Sequence, residues 1–531
     1  MNLALVNPPK TAFDLEELAP PLGLLKLAAI AFQLGATVSV EDFNLLWHLD
    51  EELRASFYER AVSRLLALDA DVYAFTSMAV DSHVALELGR RIKLAQPAAR
   101  IWVGGAHFSS IATFIDERFP WVDKVFRGEA EAAFANALRD HFGLDGHLPE
   151  GSDGTISPLY DAVPLPAYFH LNPRRVVDLE AGRGCRFKCA FCYSPGHYAP
   201  PRDFGPDAVL KELLAASAIG ARHAWFVEDN FLNFPDRARR LCGALAEAKL
   251  GMTWSCYATF PQLTPPMILA MARAGCTEVF TGVDAIGHAA QRAFRKAFVK
   301  SDAMLQRTIS LLNDSGIRPT CAFLLCPPSL PGGENFEETV WAAVGAQAAG
   351  AQVLLNPLTL YPGTPAWGTS RNRATADDAL AKIMIDVPEI VSTNPLARES
   401  PDMFPFHSRY VAEEEWRSFL AVSHCLLTLV WSYPRTLEAL RDQDGISAAG
   451  LARRVLGGID DWSEIPNYER RPHEVQVGRA VIEEMTAGTR AGRIFDRELE
   501  EEPAPMPAAL TNDRPPILRC DHSRGVNYGH T

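Results

Sequence analysis

Twice along its length this sequence alternates short apolar runs with amphipathic helical stretches, and that alternation is what most restricts its fold. In residues 1–145 the runs are NLALVN, TVSVEDF, DVYAFT, RIWVGG and KVF, with helical periodicity across 22–33, 51–68 and 82–95 between them. Strands separated by helices in this way predict a parallel sheet covered by helices on both faces. The turns that follow the strands then fall along the carboxyl edge, where open α/β sheets bind ligands. These turns are Asn7-Pro8-Pro9, Thr76-Ser77-Met78, Gly104-Gly105-Ala106-His107 and Gly128-Glu129. Over residues 176–380 the alternation resumes with six runs, VVDL, HAWFVEDN, MTWSCYAT, EVFTGVDA, RPTCAFLLC and QVLLNPLTL. Six such units predict an open, partial (β/α)6 barrel whose site lies at the carboxyl ends of its strands.

The rest of the 531-residue chain is divided by composition. Residues 146–175 are polar with Gly and Pro and read as a linker, 381–497 as a largely helical unit rich in aromatics, and 498–531 as an acidic, Pro-rich flexible tail. The expected class is therefore multidomain α/β: a doubly wound Rossmann-like domain, a partial barrel and a helical C-terminal domain. No apolar run approaches the roughly 18 residues a membrane span needs, so no membrane role is expected. A formal net charge of −14 without a cationic stripe argues against a nucleic-acid partner and makes a polyanionic substrate unfavourable. The opening MNLALVNPPK has no basic flank or cleavage site of a secretion signal, so the expected setting is the cytoplasm.

Of ten cysteines, only Cys185, Cys189 and Cys192 have ligand spacing. Three thiols at C-x3-C-x2-C in a loop can converge on a [4Fe–4S] cube with one iron left open, while Gly182 and Gly184 let the backbone wrap it. A zinc site closed by His197 is the alternative. An open coordination position is how a metal site engages a ligand and does chemistry.

On these residues the chain resembles the radical S-adenosylmethionine (SAM) superfamily, whose C-x3-C-x2-C signature follows the first barrel strand. The resemblance implies that SAM chelates the open iron and that an electron from the cluster cleaves it to methionine and a 5′-deoxyadenosyl radical. It places Phe191 near the SAM adenine, with a plain core ring as the alternative. Glu228-Asp229-Asn230 ends the second strand, where relatives contact the methionyl amine or ribose; a helix-capping turn is the alternative. Gly282-Val283-Asp284 ends the fourth strand, with Asp284 where relatives carry Glu. Gly332-Gly333-Glu334 and Tyr361-Pro362-Gly363-Thr364 look like the family's later turn elements.

The N-terminal domain is similar to that of the cobalamin-binding radical SAM group. Asn7-Pro8-Pro9, Pro20-Pro21-Leu22-Gly23, Gly104-Gly105-Ala106-His107 and Gly128-Glu129-Ala130-Glu131 carry this likeness. It implies Gly104, Gly105, His107, Gly128 and Glu129 as cobalamin contacts and puts Thr76, Ser77 and Met78 near the lower face of cobalt. Asp81-Ser82-His83 begins like the Asp-x-His-x-x-Gly motif of other corrinoid proteins, but position 86 is Leu and the segment follows the third strand, so it is not read as one.

With a [4Fe–4S] cluster, SAM and cobalamin, the resemblance implies a class B methyltransferase that moves a methyl from SAM through methylcobalamin to an unactivated carbon after hydrogen abstraction. Its substrate would be a small molecule or peptide, and its reductant an external flavodoxin- or ferredoxin-type donor. Oxidation, ring rearrangement or cyclisation without methyl transfer, a non-radical cobalamin methyltransferase, and a corrinoid or iron–sulfur carrier are the alternatives. No catalytic residue of the protein is assigned.

Overall fold

A computed structural model describes residues 2–10, 18–144, 154–198, 200–384, 395–444, 446–458 and 471–500. All eleven expected strands form. The N-terminal sheet contains β1 (Asn2–Asn7), β2 (Thr37–Asp42), β3 (Val72–Thr76), β4 (Arg100–Gly104) and β5 (Lys124–Val125), in the order β2-β1-β3-β4-β5. Every pairing is parallel. Alternate residues serve the two faces, as a sheet buried on both sides demands. Leu3, Leu5, Val72, Ala74 and Trp102 face the helices Leu22–Gln33 and Glu131–Phe142, while Ala4, Val6, Tyr73, Phe75 and Val103 face Phe57–Leu66 and Ser82–Ala95. The strand order reverses between β1 and β3, and ligands bind at the carboxyl side of such a switch point.

After β6 (Val176–Leu179) comes a short antiparallel hairpin, β7 (Gly182–Arg183) and β8 (Arg202–Asp203), whose connection carries the three cysteines. β9 (His223–Phe226), β10 (Thr253–Ala258), β11 (Cys276–Asp284), β12 (Arg318–Leu325) and β13 (Gln352–Pro357) follow. They run in consecutive order from β6 to β13, all parallel, as in a partial barrel.

The expected linker is more than a connection. It folds a helix, Leu165–Leu171, whose buried Tyr168 donates its hydroxyl to Asp42 at 2.5 Å, and Asn172 donates to the Leu18 carbonyl at 3.0 Å. Its apolar residues, Leu165, Tyr168, Phe169 and Leu171, give it a face to bury against the first domain.

The C-terminal helices share one continuous core with the barrel and with one face of the N-terminal sheet. The helix Glu413–Ser432 buries fourteen of its residues, from Trp416 to Trp431. At β13, the outermost barrel strand, Gln347 accepts from the Val353 amide at 3.0 Å and Trp431 donates to the Val353 carbonyl at 2.8 Å. Two side chains thus cap an edge that would otherwise stay open for pairing. The final helix, Arg490–Glu500, runs into the segment expected as tail, and Glu498 accepts from Thr436 at 2.6 Å. The remainder of that tail lies outside the described residues.

Candidate functional site between the two sheets

The cysteine loop is held at its base and along its length. Gly182 is required at the hairpin, because a Cβ there would meet the Arg202 carbonyl oxygen at 2.5 Å. Arg186 N donates to Asn233 at 2.9 Å, Ala190 N to the Phe294 carbonyl at 2.9 Å, and Ala366 N to the Ala190 carbonyl at 2.9 Å. Cys189 is buried and Cys185 and Cys192 are half-buried. Burial pushes all three thiols up, Cys189 to about 11 and Cys192 to about 12, and each responds to its neighbours' charge. Neutral thiols are what an apolar loop favours without metal; iron would take their protons' place. Among the described residues no three His, Cys, Asp or Glu side chains are close enough to grip a single ion.

Around the loop stand the ends of the barrel strands. Glu228 is 5% exposed; it accepts from the Ala181 amide at 3.2 Å, and its other oxygen lies 3.7 Å from Arg237 without a hydrogen bond. Burial raises its carboxyl to about 7. Asp229 accepts from Ser194 of the cysteine loop at 2.7 Å, and Asn230 donates to Gln262 at 2.9 Å. Asn230 stands at the N-cap position of the 3-10 turn Phe231–Asn233 without a side-chain capping bond, and the helix beyond, Pro235–Ala248, has Phe234 as its N-cap. Asp284 takes a left-handed backbone (φ 61°) and pairs with buried Lys296. Lys296 sits 5.8 Å over the Phe191 ring, which packs edge-on against Phe294 at 5.4 Å. Lys296 escaped the sequence reading because it stands in an irregular stretch twelve positions beyond Asp284 with no spacing signal.

Opposite lies the carboxyl edge of the first sheet. Gly105 has φ 103°, and a Cβ there would meet the Ser77 carbonyl oxygen at 2.7 Å, so the turns after β3 and β4 touch only because this residue is glycine. Asp81 holds the Met78 amide at 2.8 Å and is pushed by burial to about 7. Met78 is 43% exposed, whereas Ser77 is buried and Thr76 half-buried. Gly104 continues β4 against Phe126. His107 is buried, lowered by that burial to about 4 and hence neutral, with its ring 6.4 Å from Phe404. His83 is fully buried with its ring 4.4 Å from that of His407, consistent with setting aside the Asp81-Ser82-His83 motif.

Gly128 donates its amide to the Ser109 hydroxyl oxygen at 2.9 Å and abuts the His197 carbonyl. Glu129 is committed to guanidiniums: Arg183 at 2.8 Å, and Arg202. Against the upward push of burial, hydrogen bonds from Arg202 and Arg183 hold Glu129 down at about 2. Arg183, 8% exposed, also binds Glu131 at 2.6 Å and Glu180 at 2.9 Å, and Glu180 binds buried Lys26 at 2.9 Å. The cysteine hairpin is thereby clamped to the first domain by long-range ion pairs that no local pattern announces. A cavity of about 320 Å³ lies between the two parts, lined by Met78 and His107 on one side, Tyr193 of the cysteine loop and Tyr361 on the other, and Phe406.

Two family models match this chain: the B12 binding domain over residues 12–138 and the radical SAM superfamily over 179–340. The chain is a cobalamin-binding radical SAM enzyme. Its B12 binding and radical SAM domains call for cobalamin and SAM, and the glycine-built turns and the three-thiol donor set described above fit a corrin and an iron–sulfur cluster. Curated relatives include an uncharacterized methyltransferase, PH0819, of Pyrococcus horikoshii, 22% identical over 66% of this chain and 78% of its own. Bacteriochlorophyllide d C-12(1)-methyltransferase of Chlorobaculum tepidum is 26% identical over 41% of this chain, and the anaerobic magnesium-protoporphyrin IX monomethyl ester cyclase of Synechocystis 26% over 40%. This chain spans less than half the length of each of the latter two, 48% and 46%. Among solved structures, TsrM of Kitasatospora setae with tryptophan and a SAM analogue covers 91% of this chain and 99% of its own (TM-score 0.58, 16% identity). OxsB with aqua-cobalamin covers 94% and 84% (TM-score 0.59, 14% identity). These likenesses establish the three-part fold. Among the described residues no helix is long and apolar enough to cross a membrane.

Proposed function

We propose that this enzyme methylates an unactivated carbon of a small molecule, with Cys185, Cys189 and Cys192 as the cluster ligands. The observation that carries this reading is the shared cavity, in which Tyr193 of the cysteine loop faces Met78 and His107 of the cobalamin-binding edge. When bound, the cofactors supply hydrogen abstraction and the methyl group; the protein's share is binding, orientation and exclusion of water. In this reading Glu228, with one oxygen free of hydrogen bonds, and Asn230 would receive the polar end of SAM, and Lys296 with Asp284 braces Phe191, which would lie near its adenine. Thr76, Ser77, Met78, Gly104, Gly105 and His107 form the cobalamin-facing edge. Gly128 and Glu129 serve the cofactor through the domain clamp instead of by contact. An external one-electron donor and a cytoplasmic setting belong to the same proposal.

The relationship to a cyclase supports a second reading, radical oxidation or ring closure without methyl transfer. Anaerobic reconstitution with iron, sulfide, cobalamin and SAM separates the two. Equal S-adenosylhomocysteine and 5′-deoxyadenosine support radical methylation. 5′-Deoxyadenosine alone supports the oxidative reading, and S-adenosylhomocysteine alone a non-radical transfer. Protein that retains neither iron nor corrin refutes them all.

A further inference from the structure

Lys296 is carried into the interior by a strap that runs along the cysteine loop. The helix His288–Phe294 ends at Arg295 with a left-handed backbone (φ 52°), and the residues around that turn fasten to the loop. Ala190 N donates to the Phe294 carbonyl at 2.9 Å, the Phe294 ring meets Phe191 at 5.4 Å, and the Phe298 ring meets Phe187 at 4.6 Å. Gln291 pins the strap, accepting from Lys296 N at 2.9 Å and donating to the Val299 carbonyl at 2.7 Å. Between the two aromatic contacts Arg295 and Ala297 are exposed, whereas Lys296 is buried, 5.8 Å from the Phe191 ring and 5.3 Å from the Phe298 ring. Phe191 stands between Cys189 and Cys192, so the ammonium lies close behind the thiols.

Its partner, Asp284, is equally buried, and the two charges form an oriented pair. Burial pushes the Cys189 thiol up to about 11; Lys296 opposes that push, and more strongly than Asp284 adds to it. The positive end of the pair therefore faces the loop. Burial also pulls Lys296 down, but Asp284, and after it Cys189 and Cys192, hold it above the ordinary lysine value, so it stays charged. Arg186 and Lys188 of the loop itself are exposed, where water screens them. Three thiolates make a [4Fe–4S] core a monoanion, and one added electron makes it a dianion. Cluster potentials respond to such surrounding charge, and a buried cation acts with little screening.

We infer that the Lys296–Asp284 pair sets the reduction potential of the cluster, with the Lys296 ammonium favouring the reduced state. The inference rests on the reading that Cys185, Cys189 and Cys192 hold that cluster. Lys296 acts on it as a positioning residue, through charge and without ligating iron.

The test uses reconstituted holoprotein without SAM, poised with titanium(III) citrate and mediator dyes, and reads the reduced cluster by EPR. In that step the cluster gains one electron and Ti(III) loses one to become Ti(IV); no bond in the protein forms or breaks. Lys296→Met should lower the ratio of reduced to oxidised cluster at a fixed solution potential about tenfold or more, a negative shift of about 59 mV or more. Lys296→Arg should stay within about threefold of the unaltered protein. Because Lys296→Met strands Asp284, the double variant Lys296→Met/Asp284→Asn removes the whole pair and should shift the ratio in the same direction by less. Lys188→Met, at an exposed lysine beside Cys189, should change it about twofold or less.

An unchanged ratio in Lys296→Met with full iron content overturns the inference. So does weaker SAM binding at an unchanged SAM-free potential, which would leave Lys296 as a brace for Phe191 alone. A shift in Lys188→Met as large as in Lys296→Met overturns it by marking a general charge effect, and loss of iron from both Lys296 variants that lack the cation overturns it by making the pair a requirement for assembly. If the unaltered protein holds no iron, the cluster reading itself fails, and the inference with it.

Discussion

Replacing Arg183 by Met should uncouple the two halves of the active site. Its guanidinium makes ion pairs with Glu131, Glu129 and Glu180 at 2.6, 2.8 and 2.9 Å. After the substitution Glu180 keeps Lys26 and Glu129 keeps Arg202, so the charge left alone is Glu131, 9% exposed. Stranding one partner of a buried pair costs about 3–5 kcal/mol, a large part of a typical domain's net stability. Glu131→Gln removes the stranded charge, so a double variant should recover part of that loss, with a coupling of about 1–3 kcal/mol in urea titrations of the apoprotein. In turnover assays Arg183→Met should still release 5′-deoxyadenosine, because the barrel is intact, while methyl transfer falls by one to two orders of magnitude as the domains lose register. The pH dependence has a defined sign. Burial pushes Glu129 upward, but Arg202 and Arg183 hold it at about 2 against an ordinary 4.5, and its contribution is present above 4.5 and lost as pH falls towards 2. Acid destabilisation in that window should be shallower in Arg183→Met. Strict additivity of the two substitutions, or parallel loss of both products, would refute the clamp.

The other expectations are more local. Ala at Cys185, Cys189 or Cys192 should abolish the cluster's visible absorption, whereas Ala at buried Cys242, Cys256 or Cys276 should keep it and cost about 1 kcal/mol of packing. Gly105→Ala forces a side chain into a left-handed turn 2.7 Å from Ser77 O, so corrin binding should fall while iron content holds; normal cobalamin stoichiometry would contradict this. Glu228, raised by burial from 4.5 to about 7, favours the fold below pH 4.5 and loses that contribution as pH rises through 7. Glu228→Gln should therefore flatten the decline in apoprotein melting temperature between pH 5 and 8, and an unchanged slope would count against it.

Periodicity reports what repeats along the chain, and the strands repeat. The five apolar runs of the first sheet and the six of the barrel were legible for that reason, and the cysteines were legible because a metal cluster imposes short spacing. The clamp was not: Lys26, Glu129 and Glu131 meet Glu180, Arg183 and Arg202 only in space. Glu129 therefore read as a cofactor contact, although its carboxylate is spent on two guanidiniums. Residues 146–175 read as linker because Gly, Pro and polar residues outweigh the apolar face that Tyr168 and Leu171 give a single short helix. Lys296 is invisible for a different reason, since a lone lysine in irregular chain looks solvated until the fold folds it inward onto Asp284.

The cap on β13 has a bearing on how the chain is made. Val353 offers its amide and carbonyl on the outer margin of the barrel, and the residue that closes the carbonyl, Trp431, is synthesised almost eighty positions later. Until the ribosome has released that tryptophan, the nascent barrel carries an unsealed parallel edge, the kind of surface on which partly made chains stick together. Termination shortly before residue 413 would leave every barrel strand intact and the product prone to aggregation, so the helix Glu413–Ser432 acts as the barrel's seal.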